Sequence, residues 1–201
     1  MPDRGAKVTF LLSLILSFTI LLLPSERTSL SVAAKQNMAR GKEGQPLPGC
    51  SVTLLKNREY FPALAAAIDN AQKEILMSFF LFKTNGHPRN YSEVILRHLI
   101  RAAGRGVKVV VILERGDGSS DIDAQNQDTT VKLKRGGVGV YLDSPQNTTH
   151  TKLVVIDRRY TFVGSHNLTH SALKYNNELS VLLDSVPVAE EAADYLNKLY
   201  Q

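Results

Sequence analysis

Two short, predominantly apolar runs, residues 74–82 and 107–113, broken only by Glu74, Ser78 and Lys108, constrain the fold more than any other feature of the chain. A run of this length bounded by turn residues, with no polar alternation, reads as a strand covered on both faces. Between the two runs, residues 92–103 carry apolar side chains at helical spacing and close at Gly104 and Gly106, which suit a C-terminal cap. Residues 61–72 are Ala-rich with the same period, and residues 52–55 have a short strand pattern. Strand alternating with helix predicts a layered α/β domain.

Downstream, a polar stretch over residues 117–130 leads into a short helix at 131–135, ended by Gly136 and Gly137, and then a strand at 138–142. Residues 152–156 and 161–163 form a hairpin pattern across a polar turn at 157–160. A last strand follows at 179–183 and an amphipathic helix at 188–200. No segment repeats another, so the chain holds one copy of whatever site it carries.

The remaining sequence is an N-terminal extension. Residues 8–23 are apolar or hydroxylic, preceded by Arg4 and Lys7 and closed by Pro24. That length falls between a secretory core of about 7–15 residues and a membrane span of about 20. Residues 1–33 therefore read as a signal peptide, cut before Ala34 after the small residues Ser31, Val32 and Ala33, or as a retained membrane anchor. Cleavage is weighted above retention. Basic residues on the N-terminal side send the remainder out of the cytoplasm in both readings, so the domain is expected to be periplasmic, secreted or anchored outside. Residues 34–50 are polar and aperiodic and read as a linker, which leaves 51–201 as the domain.

Composition adds exclusions. A 201-residue chain that is 43% hydrophobic and 21% charged is neither disordered nor collagenous. A charge of +5 suits a polyanionic partner, nucleic acid or an anionic lipid surface, without choosing between them. The lone Cys50 excludes an internal disulfide framework and a cysteine zinc cluster. It lies too far from the apolar run for the Leu47, Pro48, Gly49, Cys50 sequence to serve as a lipidation signal.

The chemistry is concentrated in His150-Thr151-Lys152 through Asp157, then Gly164-Ser165-His166-Asn167, then Asn176-Asn177-Glu178. On a strand His150 and Lys152 share a face. A turn centred between Arg158 and Arg159 sets His150 opposite Asn167 and Lys152 opposite Ser165. That register holds for an even loop and is lost with a bulge, and Arg-Arg lacks the Gly or Asn of a tight two-residue turn. Such a cluster is what a phosphodiester needs. A fixed ammonium and amide or hydroxyl donors neutralise its oxygens, and a neutral imidazole attacks phosphorus to give a phosphohistidine that water hydrolyses. No metal or cofactor is required. Asp157 has the opposite strand parity at the mouth of the turn and reads as a carboxylate that anchors backbone groups. Glu178 is a candidate acceptor for the second ring N–H of His150.

HxKx4D followed by GSxN resembles the HKD motif of the phospholipase D superfamily, met here by His150, Lys152, Asp157, Gly164, Ser165 and Asn167. The resemblance spans residues 51–201 and implies that family's α/β/α sandwich with a mixed central sheet, with one motif per chain. It implies catalytic roles for His150 (the nucleophile), Lys152, Asp157 and Glu178, and phosphate binding by Lys152, Ser165 and Asn167. Asn176 and Glu178 match the family's downstream NxE context. One motif is half a site, so the resemblance also implies a homodimer whose two His150 imidazoles act as nucleophile and general acid. The arrangement is similar to small bacterial endonucleases and mitochondrial-type members.

Other polar clusters have plainer readings. His166 and His170 near the motif, and His87 and His98 without partners, read as ordinary polar residues. The sequons at Asn90, Asn147 and Asn167 are three-residue coincidences. Lys132, Lys134 and Arg135, like Arg97, Arg101 and Arg105, read as solvated helix faces. Three functions follow in order: a nuclease with little sequence preference, a phospholipase D acting on membrane phospholipid, and an idle nucleic-acid or lipid-binding module.

Overall fold

The computed structural model describes residues 49–116, 121–144 and 146–200. The expected leader at 1–33 and nearly all of the 34–50 linker lie outside the described residues. Among the described residues no helix is long and apolar enough to cross a membrane.

Seven strands form one mixed sheet: β1 Ser51–Lys56, β2 Glu74–Phe79, β3 Lys108–Leu113, β4 Gly139–Leu142, β5 Lys152–Ile156, β6 Tyr160–Gly164 and β7 Leu179–Asp184, in the order β1-β7-β6-β5-β2-β3-β4. β2, β3 and β4 run parallel, and every other neighbouring pair is antiparallel. The two apolar runs are β2 and β3, near the centre, with five of six residues buried in each. Covering both faces of these strands removes any reason for alternation.

Helices α1 Tyr60–Asn70, α2 Tyr91–Gly104 and α3 Asp121–Arg135 and the short α4 His170–Lys174 belong to one face, and α5 Val186–Leu199 to the other. α1 buries Tyr60, Leu64 and Ile68, one helical face, against the main core. α2 starts at Asn90, whose side chain accepts from the backbone of Ser92 and Glu93. It stops at Gly106, whose φ of +92° a residue with a side chain would rarely adopt. On the opposite face Ala189, Ala193 and Leu196 of α5 pack on Leu76, Val110, Ile112 and Val155. Each fully buried Leu or Ile contributes about 1.5–3 kcal/mol over leaving it in water.

Two departures from the sequence expectation concern elements that position the site. α3 begins at Asp121, ten residues before the expected helix start at 131, because its inner face is polar. Asn126 is fully buried and accepts from the Phe82 N–H at 2.9 Å while donating to the carbonyls of Phe80 and Glu114, each at 2.9 Å. Thr129 donates to the Phe82 carbonyl at 2.6 Å. The helix thus docks by hydrogen-bonding the segment that follows β2, and an apolar stripe was the wrong signal to look for.

The second departure is the β5–β6 register. Leu153 pairs with Val163 and Ile156 with Tyr160, one residue away from the expected pairing. Asp157 and Arg158 both have positive φ, +53° and +51°, and the Arg159 N–H returns to the Ile156 carbonyl at 3.1 Å. Two successive left-handed residues are what a type I′ turn requires, here without glycine or asparagine. The loop holds three residues, so the even-loop condition fails. His150 with Asn167, and Lys152 with Ser165, are not ladder pairs.

Candidate active site at the carboxyl edge of the parallel strands

The chain leaves β2, β3 and β4 at the same edge of the sheet where it enters β5, leaves β6 and enters β7. His150 lies there, exposed, immediately before β5. Both its neighbours are tied down. The Thr149 N–H donates to Glu114 Oε2 at 2.5 Å, and the Thr149 hydroxyl donates to Asp143 Oδ2. Thr149, Glu114 and Asp143 are all buried. The Thr151 hydroxyl shares a 2.5 Å hydrogen bond with that of Ser78, and the Thr151 carbonyl accepts from the Phe80 N–H at 3.1 Å. Groups at or just past the ends of β2, β3 and β4 therefore clamp the residues on either side of the imidazole and leave the ring itself projecting. Its centroid is 4.7 Å from that of Phe80.

Lys152 opens β5 and is buried, with its ammonium 2.9 Å from the His150 carbonyl and 5.2 Å from the Phe80 ring centroid. Burial pushes its pKa below the ordinary lysine range, and the negative charge of Glu178 pulls partly the other way. A cation held in a partly desolvated position beside an accessible imidazole is suited to an anionic substrate.

Gly164 ends β6 where the β7 backbone approaches too closely for a side chain. A Cβ there would stand 2.5 Å from the Leu179 carbonyl oxygen and closer still to Ser180. Beyond it, the exposed Ser165 donates its hydroxyl to Glu178 Oε2, and Asn176 donates to Glu178 Oε1 at 3.1 Å. Glu178 thus takes Ser165 and Asn176 as partners, in place of the His150 ring expected from sequence. Asn167 is brought toward Phe80 by its neighbour Leu168, which pairs with the backbone of Leu81 and Lys83 at 3.0 and 2.9 Å. Among the described residues the Asn167 Oδ1 is buried with no hydrogen-bond partner; a phosphate oxygen would have to be met by the Nδ2 donors of the same carboxamide.

Asp157 lies at the far end of β5. Its carboxylate accepts from the backbone N–H groups of Gln72, Lys73 and Glu74 at 2.9, 2.7 and 3.0 Å. Asp157 is thus placed as an anchor for the chain entering β2, at the opposite end of β5 from His150, in keeping with its strand parity.

Sequence reasoning also missed His166, which is fully buried and stacked on Tyr60 at 4.3 Å. Its Nε2 is 2.9 Å from the Asn57 carbonyl, which can only accept, so Nε2 carries the proton and Nδ1 accepts from the Ser180 hydroxyl at 2.8 Å. Burial lowers its pKa and favours this neutral tautomer. It is a structural pin between β1 and β7. The threonine clamp had no sequence signal, since its acceptors come from distant strand ends. Among the described residues, no group of three or more His, Cys, Asp or Glu side chains could hold a metal ion.

The family described as cardiolipin synthase, PLD-like domain, matches residues 64–200. The chain belongs to the phospholipase D superfamily. Among curated phospholipase D-like relatives, a phospholipase D of Rickettsia conorii is 27% identical over 136 residues, covering 67% of this chain and 62% of that protein. A cardiolipin synthase A of Pseudomonas putida is 29% identical over 170 residues, 79% of this chain and 34% of the relative. The chain thus spans less than two thirds of the length of these relatives. Among solved structures, the phospholipase D family member Nuc of Salmonella typhimurium superposes with a TM-score of 0.63 at 22% identity, covering 75% of this chain and 94% of the other. NucT of Helicobacter pylori gives 0.61 at 20%, covering 75% and 96%. These likenesses bear out the α/β fold with a mixed sheet.

Proposed function

We propose that this chain is a phosphodiesterase that cleaves nucleic acid without a metal, with His150 as nucleophile. The observation that carries the reading is the exposed His150 imidazole beside the buried Lys152 ammonium, with both flanking threonines clamped. An imidazole nitrogen attacks phosphorus, a P–N bond forms and the bond to the leaving oxygen breaks. The leaving oxygen takes a proton from the partner subunit's His150, and water then hydrolyses the P–N bond. Lys152 and the Nδ2 donors of Asn167 are assigned to the phosphate oxygens, while the Ser165 hydroxyl expected there is already donated to Glu178.

A second copy is supported by an apolar strip on the sheet face that α5 leaves open. Alternation and register put Val52 and Leu54 of β1, Leu179 and Val181 of β7 and Val163 of β6 on that face. Val52 and Leu54 are each 57% exposed, Leu179 53% and Val163 40%. Contiguous apolar area of this kind marks an interaction surface. Nucleic acid is favoured by the net charge of +5 and by the match in fold and size to Nuc and NucT. A phospholipid substrate is the second reading, favoured by curated relatives named phospholipase D and cardiolipin synthase. We assign the domain to the outside of the cytoplasm on the basis of the apolar run at residues 8–23.

The test incubates the full chain, with chelator, against plasmid DNA, single-stranded RNA and cardiolipin or phosphatidylcholine vesicles, beside His150→Ala. Nucleic-acid cleavage that falls by about 10³-fold or more in the variant is expected. Head-group release in its place moves the protein to the lipid reading, and turnover that survives the substitution refutes the mechanism.

A further inference from the structure

A cleft of about 560 Å³ opens beside Glu178, lined in part by the cations Lys56, Arg58 and Lys174, the carboxylate Glu59, and by Tyr175 and Asn177. It belongs to the same edge as His150: Lys56 ends β1, and Asn177 leads through Glu178 into β7. Its wall is bonded to the site. The Glu178 N–H donates to Asn57 Oδ1 at 2.8 Å and the Asn57 N–H to the Glu178 carbonyl at 2.9 Å. Three cations face this volume, and among the described residues none of them is paired with a carboxylate within 4.0 Å. The Arg58 Nε–H instead donates to the Lys174 carbonyl at 3.0 Å, which joins the two halves of the wall.

The one large apolar surface in the cleft is Tyr175, 64% exposed although its backbone is fixed by the Ser171 carbonyl at 2.8 Å. The Lys174 ammonium lies 5.1 Å from the centroid of that ring and 5.5 Å from that of Tyr91. Tyr175 is the one large apolar side chain among the lining residues, so the cleft has no extended apolar wall for an acyl chain. It offers phosphates their counter-charges and one flat surface to a base, and a base can use that surface only if it is not already stacked in a duplex.

We propose that this cleft is the entry path of a single-stranded nucleic acid, with Lys56, Arg58 and Lys174 on consecutive phosphates and one base stacked on Tyr175. The proposal deepens the nuclease reading and rests on it for the identity of the substrate. Glu178, bonded to Asn57 of the cleft wall and to Ser165 of the site, joins the cleft to the catalytic edge. Strand preference then arises from Tyr175, remote from the bond that breaks.

The test uses the full chain carrying His150→Ala, so that nothing is consumed, and reads anisotropy of a labelled 12-nucleotide single strand and of a blunt duplex. Tyr175→Ala is expected to weaken single-strand binding by about fivefold or more, leave the duplex within twofold, and be rescued by Tyr175→Phe. Lys56→Ala and Lys174→Ala should each lower the salt dependence of single-strand binding by about 0.7 in the log–log slope. Unchanged single-strand binding in Tyr175→Ala, equal loss on both nucleic acids, or no single-strand binding by the parent overturns the proposal. So does a loss of binding to phosphatidylglycerol vesicles as large as the loss on the oligonucleotide, which makes the cleft a head-group surface. Turnover by the unsubstituted chain is read separately. The expected binding pattern without nucleic-acid cleavage overturns the nuclease reading alone, whereas cleavage with Tyr175-independent binding overturns the cleft alone.

Discussion

Replacing Asp157 distinguishes an anchor from a catalytic residue. Its carboxylate takes three backbone N–H groups at 2.7–3.0 Å, two on the exposed residues Gln72 and Lys73 and one on half-buried Glu74. A hydrogen bond to a charged acceptor contributes about 1.5–3 kcal/mol, and water replaces much of that at the exposed pair. The φ of +53° adds a further cost of about 1 kcal/mol when Asp gives way to Ala. Asp157→Ala should therefore lower stability by about 3–4 kcal/mol, roughly 10 °C in Tm, and Asp157→Asn by about half as much. The effect on rate should be small. Five residues of strand separate Asp157 from Lys152, about 17 Å, and at that distance a screened charge contributes only about 0.1–0.2 kcal/mol. Thermal unfolding by circular dichroism, paired with kcat measured well below the Tm of each variant, tests both halves. A fully folded Asp157→Ala protein whose kcat is down a hundredfold refutes the argument.

Four further outcomes follow from the same geometry. Because burial lowers the pKa of Lys152, the folded state loses that proton at a lower pH than the unfolded chain does. The charge then costs stability below the folded pKa, stability rises with pH between the folded and unfolded values, and the rate falls on the alkaline side as the ammonium is lost. A pH–rate profile whose alkaline limb does not move in Lys152→Arg counts against this assignment. Thr149→Val should lower kcat by about tenfold with little change in KM, since the residue positions His150 without touching substrate; a pure KM effect contradicts the clamp. Gly164→Ala should destabilise the domain by about 3 kcal/mol through the clash with β7, read by denaturant titration, and a neutral result refutes the close approach. Leu54→Glu should yield monomers by light scattering together with loss of activity, and an active monomer excludes the shared site.

The sequence was most legible where apolar burial decides the structure. β2 and β3 are visible as runs because their burial is two-sided, and α1, α2 and α5 because each has a face to hide. α3 was half invisible because three of its four buried residues, Asn126, Thr129 and Thr130 beside Leu133, are types that ordinarily signal a loop. The hairpin was found but its register slipped by one, since Asp157 and Arg158 both adopt left-handed conformations, which Asp tolerates but Arg does not announce. The residues of the site were legible as a pattern of types and spacings, whereas their partners were not. That Glu178 bonds Ser165 and Asn176, and that His166 is pinned between Asn57 and Ser180, depends on which loops meet at one sheet edge.

The polar contact face of α3 carries a consequence for how this chain can change over time. An apolar core position accepts neighbours of similar volume, Leu for Met or Ile, with small losses. Asn126 has no such synonyms: Asp lacks the donor that meets the Phe80 and Glu114 carbonyls, Leu has neither donor nor acceptor, and Gln is a methylene too long. The segment carrying Phe80 is therefore held by a position that drift cannot edit in small steps, while the apolar layers around it can be rewritten gradually.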